Sequence, residues 1–403
     1  MAFVQSSATV GERVALHRRR RGLSQAELAR LLGRSPSWLE QVERGVRSVD
    51  RASVLGQIAA VLRVSVSELA PGSLIAEERE VEPAAVQGLR TALTEYPSLS
   101  RGADVKPFNP TQRAALRHAV DEAWKLVHEG RQTALADALP GLLERADLVR
   151  ASWTRSDDRT GLTLAAETYQ VTTAVLTQLG QTALAWIAAD RAIVVAQMAG
   201  DRLQTAAGTF RLAHVFLAGD RLGEALQVAS GYAEALEPRL GNASAELISL
   251  WGALHLVAAV AATKRQERAR ALTHLEQAET AAARTGAGRN DGHTEFSPVN
   301  VVLHGGTVYV ELGDPGTALR RADAIDVAAL SLERRVQMLV DVARACTQLR
   351  LTSPATRALL DAEDLGPELV RSQGLVREVV RELMAVDRGA ELQALAKRLG
   401  MQR

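Results

Sequence analysis

The stretch that most constrains this chain is Leu23–Glu43, LSQAELARLLGRSPSWLEQVE. It encodes two short helices and a tight turn. Ser24 is placed to cap the first helix, and Glu27 three residues later completes a capping box. Ala26, Leu28, Ala29, Leu31 and Leu32 are expected to give that helix one buried face. Gly33 follows, where a left-handed residue is cheapest. Ser35 caps the second helix, and Pro36 occupies its first turn, where a missing N–H does no harm. Trp38, Leu39 and Val42 fall on one face, with Trp38 assigned to the core; Ser37, Gln41 and Arg44 project elsewhere.

The flanking segments extend the pattern. A preceding helix is expected from Thr9, its cap, to Arg20, with Val10, Val14 and Leu16 facing inward. Arg18 to Arg21 is the densest charge in the protein. A fourth helix follows Asp50 as cap and carries Val54, Leu55, Ile58, Ala59, Val61 and Leu62; a fifth begins at Ser65, with Glu68 completing another capping box. Residues 1–72 hold eleven Arg, no Lys and six acids, a net +5, while the whole chain of 403 residues is only +1. A basic head on a slightly acidic body directs a polyanion to the head alone.

This head resembles the lambdoid-phage-repressor and Cro type of DNA-binding domain, the xenobiotic-response-element family. The matching run is LSQAELARLLGRSPSWLEQVERG followed by IAAVLRVSVSEL. The resemblance implies a five-helix domain whose helix from Ser35 lies in the major groove of double-stranded DNA. It implies base-edge positions at Pro36, Ser37 and Gln41, and phosphate contacts from Gln25, Arg18, Arg34, Arg44, Arg47 and Arg51. It also implies that Arg18 and Glu43 pair across the first and third helices. Two departures stand out: Pro36 and Ser37 offer little to base edges, leaving Gln41 as the main direct reader, bidentate to adenine. Arg63 stands where the fourth helix of the family often ends on Gly.

Pro71-Gly72 closes the head, so the DNA-binding domain is read as residues 8–71. Residues 72–110 read as a linker or hinge with one helix, started by Pro83 and carrying Val86, Leu89, Leu93 and Tyr96. From 111 to 395 almost every segment has helical periodicity. Thr111 is expected to cap the first helix of this body, and Pro140 to break or kink the second. A loose repeat of helix, turn and helix runs through the body. A small residue opens each second helix at Ala183, Ala225, Ala271, Ala318 and Ala355. In that register Val299–Val310, strand-like by its partial alternation, belongs to a helix, and Gly305-Gly306 sits where paired helices approach closely.

The repeat resembles tetratricopeptide repeats, which implies an all-α chain: a lambda-repressor-like head followed by a tetratricopeptide-like α-solenoid for sensing and dimerisation. In such an array the first helices line the concave face. That assigns Tyr169, Gln170, Thr173, Arg211, His214, Trp251, His255, Asn300 and His304 to an effector groove. The Gly-rich loop 284–298, with His293, Glu295 and Phe296, is long for a repeat connection and is read as a lid over the groove. Head plus degenerate repeats resembles actinobacterial regulators and, in outline, the Gram-positive regulators that sense secreted peptides. The expectation is a cytoplasmic homodimer whose DNA binding is set by a peptide or small-molecule effector. The alternative is a protein-interaction scaffold with a vestigial or docking head.

Other chemistry finds no sequence support. There is no P-loop, no Gly-x-Ser-x-Gly and no His-Glu-x-x-His. The eight His are scattered without ligand spacing, so neither a metal nor a cofactor is expected, and no enzyme activity. Cys346, the one cysteine, sits among Val342, Ala343 and Leu349 and reads as a buried thiol. No run of 18 uncharged apolar residues marks a membrane span.

Overall fold

The computed structural model describes residues 9–20, 23–47, 49, 52–62, 69, 84–95, 108–129, 131–153, 158–286, 288–324, 332–386 and 389–401. The described residues are all-α. In chain order the helices are α1 (Val10–Arg20), α2 (Gln25–Leu31), α3 (Pro36–Glu43), α4 (Ala52–Leu62), α5 (Ala84–Thr94), α6 (Pro110–His128), α7 (Gln132–Ser152), α8 (Arg159–Gln178), α9 (Thr182–Ala199) and α10 (Arg202–Ala218). They continue as α11 (Leu222–Leu236), α12 (Ala245–Lys264), α13 (Arg268–Thr285), α14 (Pro298–Glu311), α15 (Pro315–Asp323), α16 (Leu332–Gln348), α17 (Thr352–Leu365), α18 (Pro367–Ser372), α19 (Gly374–Val386) and α20 (Ala390–Arg398). They fall into two compact units, residues 1–87 and 88–403. The expected fifth head helix from Ser65, the cap Asp50, Arg51, Arg63 and the Pro71-Gly72 break lie outside the described residues.

In the first unit the caps and the turn act as read, but Ala26 and Leu31, expected on the buried face of α2, are exposed, since the core takes only Leu28 and Ala29 fully. Ser24 and Glu27 form the capping box of α2, Gly33 takes φ +65, and Ser35 caps α3 by accepting from Trp38 N. Leu28, Ala29, Leu39, Val42, Val14, Ile58, Ala59 and Leu62 make the core, with Trp38 half-buried against it. Leu16, expected inward, is exposed instead, because α1 turns Val14, Ala15 and Arg18 to the core. Gly11 is needed for a close approach: a Cβ there would lie 2.2 Å from the Val42 carbonyl oxygen at the end of α3.

The second unit is an array of antiparallel helix pairs, tetratricopeptide-like in its repeated hairpins. Five pairs share one turn: α8–α9, α10–α11, α12–α13, α14–α15 and α16–α17. In each, a left-handed residue (Gly180, Asp220, Gln266, Gly313, Arg350) follows the first helix. The next residue's N–H then bonds back across a Schellman turn, as Arg221 N does to Phe216 O. Five residues after each left-handed position comes Ala185, Ala225, Ala271, Ala318 or Ala355, whose N–H closes the first turn of the second helix. All five alanines are buried, so the hairpin arms approach over a methyl group. The expected Ala183 is thus two residues early: it is exposed, and Ala185 holds the equivalent position.

Other expectations shift by local chemistry. Asn109, with Pro110 after it and Gln112 as its reciprocal partner, caps α6, rather than Thr111. Pro140 lies within α7, which continues from Gln132 to Ser152 without a break. Val299–Val310 is helical, within α14. Cys346 is a buried free thiol. Two helices, α9 and α12, are long and apolar enough to cross a membrane; most of α12 is buried inside the array, whose core it centres.

Candidate nucleic-acid interface and ligand cavity

In the head, α3 has one face locked and one face bare. Its inner face buries Leu39, Val42 and Glu43. Glu43 is gripped by Arg18, Nε to Oε1 at 2.5 Å and Nη2 to Oε2 at 2.9 Å, and by Gln25 Nε2 at 2.8 Å. Arg18 Nη1 also donates to the Leu23 carbonyl at 2.7 Å. One carboxylate therefore ties α1, α2 and α3 together. Burial works to raise the Glu43 carboxyl, but the hydrogen bonds from Arg18 and Gln25 win and hold it below the usual carboxylate value. Its hydrogen bond to Glu43 raises Arg18.

This geometry corrects two phosphate assignments. Arg18 is buried and its guanidinium is used on Glu43 and Leu23, where it fixes α3. The Gln25 amide is turned onto Glu43 as well. The implied Arg18–Glu43 pair is present. Arg34, Pro36, Ser37, Gln41, Arg44 and Arg47 are all exposed. Arg34 lies 5.5 Å over the Trp38 ring. Arg51 is outside the described residues. Ser37, Glu40, Gln41 and Arg44 form one exposed stripe at i, i+3, i+4 and i+7. Glu40 belongs to it and escaped the sequence reading. Its exposed ion pair with Arg44, at 3.6 Å, is too weak to withhold either from a partner.

In the body, six first helices meet at one cavity of about 530 Å³. Its walls come from α6 (Trp124, His128), α8 (Ala174, Gln178), α10 (Phe210, Arg211, His214), α12 (Ala253, Leu256, Val257, Val260), α14 (Asn300, His304, Thr307) and α16 (Arg334, Gln337, Asp341). Of the expected groove residues, Arg211, His214, Asn300 and His304 line it. Trp251 and His255 do not. They sit on the right helix but on the face opposite Ala253 and Val257, in the core, where His255 Nδ1 meets His274 Nδ1 of α13 at 2.9 Å. Tyr169, Gln170 and Thr173 are likewise buried, Gln170 donating to Gln204 at 2.8 Å.

The connection between α13 and α14 closes one side of the cavity with His293, Thr294, Glu295 and Phe296. It is anchored at several points. Phe296 is buried against Gly252, where a Cβ would come within 2.3 Å of its ring. Gly292 packs on Ala207 and Leu250. His293 stacks on Trp124 at 4.0 Å and 10°. Asn290 Nδ2 lies 3.2 Å from His128 Nε2 and its Oδ1 accepts from Glu295 N at 2.7 Å. Arg211 Nη2 donates to the carbonyls of Gly292 and His293. His293 and Glu295 both take left-handed backbone, at φ 54 and 56, a strained conformation for such residues.

Charge in the cavity is unevenly matched. Glu295 pairs with Arg334. Asp341 accepts from Thr307 at 2.7 Å and from Gln337 and Arg344, while burial raises its carboxyl. Burial pushes His214 down to about 3 and His293 and His304 down to about 4, with Arg211 adding to the effect on His214 and His293. These imidazoles are neutral near pH 7. Burial lowers Arg211 to about 10, still charged.

The comparisons agree with the head geometry. Residues 9–71 match the family described as "Helix-turn-helix domain". Comparison with curated proteins finds no match. Among solved structures, the chain is similar to Bacillus thuringiensis PlcR in complex with the peptide PapR7 and DNA. The identity is 12%, the coverage 89% of this chain and 99% of that one, and the TM-score 0.30, so the two superpose only loosely. By sequence match and by geometry, residues 9–71 carry a helix-turn-helix domain.

Proposed function

We propose that this protein is a sequence-specific, DNA-binding transcriptional regulator controlled by an effector held in the cavity of its helical array. The observation that carries the first half is α3 itself: its inner face is clamped through Glu43, while Ser37, Glu40, Gln41 and Arg44 stand bare in a helix-turn-helix domain. In this reading α3 enters the major groove. Gln41 reads adenine, Glu40 accepts from a cytosine amino group, and Arg34, Arg44 and Arg47 meet phosphates. The cavity supports the second half. Its size suits a small molecule or a short peptide, and its wall sets an apolar strip from α12 against polar and charged groups from α10, α14 and α16. The regulator acts as a cytoplasmic homodimer, because one head covers few base pairs and paired heads read half-sites about 34 Å apart.

Fluorescence anisotropy of the full chain on fragments upstream of its own coding region tests this. We expect affinity to fall with salt as several phosphate contacts are screened. Gln41→Ala should cost about 1–3 kcal/mol and relax preference at one base position. A salt slope near zero, or binding indifferent to Gln41→Ala and Arg44→Ala together, overturns the reading.

A further inference from the structure

We propose that the cavity is a binding site for a small amphipathic carboxylic acid, its carboxylate set against Arg211 and its apolar body along α12. The proposal rests on the effector reading above and gives that effector a chemical class. It starts from an unmatched charge. Arg211 sits on the cavity wall with Nη2 on two loop carbonyls and a buried Nε that has no partner. Among the described residues no carboxylate lies within ion-pair distance of it. The acids nearby are taken: Glu295 by Arg334, and Asp341 by Arg344, Thr307 and Gln337. Arg211 is half-buried and feels Glu295 only at a distance, so its unpartnered Nε is costly to leave bare and a ligand anion relieves it.

The surroundings narrow the anion. Trp124 and Phe210 flank the guanidinium at 4.9 and 5.2 Å, so the planar group is held in place for one planar partner. His214, His293 and His304 are neutral, which leaves Arg211, with Glu295 acting on it only at a distance, as the one cavity cation without an ion-pair partner among the described residues. That suits a monoanion rather than a phosphate dianion. Glu295 and Asp341 would repel a second carboxylate. The apolar part of the ligand is set by Ala253, Leu256, Val257 and Val260, which face the cavity from one side of α12. A volume of about 530 Å³ accepts a molecule of the size of a medium-chain or aryl-substituted acid.

Calorimetry on the full chain near neutral pH tests the proposal, with decanoate and 3-phenylpropanoate each compared with its primary amide. We expect at least one acid to bind about tenfold or more tightly than its amide, the range for a hydrogen bond to a charged group. Arg211→Met should bring that ratio close to one while leaving the amide's affinity nearly unchanged. Val257→Trp fills the cavity without touching Arg211 and should abolish binding of both. If Arg211→Met does not fold, the acid-to-amide ratio of the unaltered chain and the Val257→Trp result decide. Equal affinity for acid and amide, no binding of either acid, or acid binding that survives Val257→Trp overturns the proposal. Acid binding with DNA affinity unchanged would support the site while overturning its regulatory role. A neutral effector that alters DNA binding through this cavity would do the reverse.

Discussion

Two arginines, Arg18 buried and Arg211 half-buried on a cavity wall, separate the two units of this protein. Arg18 in the head has all three guanidinium nitrogens engaged: Nε and Nη2 on one carboxylate and Nη1 on a backbone carbonyl. Arg211 in the body has two backbone carbonyls, a bare Nε and no carboxylate. A satisfied buried ion pair specifies one arrangement of helices; α1, α2 and α3 converge on Glu43 because no other placement pairs it. A guanidinium with an unpartnered donor on a cavity wall carries a cost that a ligand can relieve. The head's clamp is thus complete within the fold, while the body's cavity wall keeps one Arg211 donor open.

The largest effect that can break this contrast is in the head. Arg18→Met leaves Glu43 buried with only Gln25 as donor, and removing one partner of such a pair costs about 3–5 kcal/mol. Hydrogen exchange of α1–α3 amides in the full chain should show that loss of protection, with DNA affinity falling alongside. The double variant Arg18→Met, Glu43→Leu should recover most of it, since no lone charge remains. A single variant with unchanged protection would mean that the pair does not organise the head.

Acid separates the units next. Glu43 is depressed in the folded head, so its contribution is complete above the unfolded carboxyl value of about 4.5 and is lost as pH falls through the lower folded value. In the body, His214 is pushed down to about 3 and His255, His293 and His304 to about 4. Below about 6.5 the unfolded chain takes up protons that the folded body refuses, so stability falls as pH drops from there towards 4. Glu167 and Asp341, both raised by burial, oppose this in part. Hydrogen exchange along a pH series should show the body losing protection first, from about pH 6.5, with the head unaffected until below about 4.5. The opposite order would mean that these imidazoles are hydrated and protonated in the native state.

Legibility in sequence also differs between the units, and for a physical reason. The head's signals are local: Ser24 with Glu27, Gly33, and Ser35 with Pro36 act on their own backbone within four residues. The body's turn is equally regular, yet Gly fills its left-handed position only at 180 and 313, while Asp220, Gln266 and Arg350 hold the others under tertiary constraint. That is why Ala183 is a plausible register and Ala185 the real one. The cavity was half legible. Polar residues on the right helices were visible, but α12 is buried on nearly all sides, so periodicity could not tell the Ala253–Val257 face from the Trp251–His255 face. Arg18 erred in the other direction: its place in a basic run hid a buried role. Trp124 and Arg334 come from helices distant in sequence, and no local pattern announces their meeting.

The smallest stability effect is the most telling. Arg211→Met removes a lone charge whose burial costs free energy, and also two hydrogen bonds that tie the loop carbonyls of Gly292 and His293. The two bonds together contribute about 3–6 kcal/mol with a charged donor, and the effective cost of a desolvated charge is also several kcal/mol. The terms nearly cancel, so thermal denaturation of the ligand-free chain should change by less than about 1 kcal/mol, against the 3–5 kcal/mol expected at Arg18. The loop keeps its other anchors: Phe296 against Gly252, His293 on Trp124, and Asn290 at His128. A loss as large as that of Arg18→Met would mean that Arg211 is a structural tie for the loop, its charge already compensated within the fold. A near-neutral change with loss of acid selectivity would mean that the charge is there for a ligand.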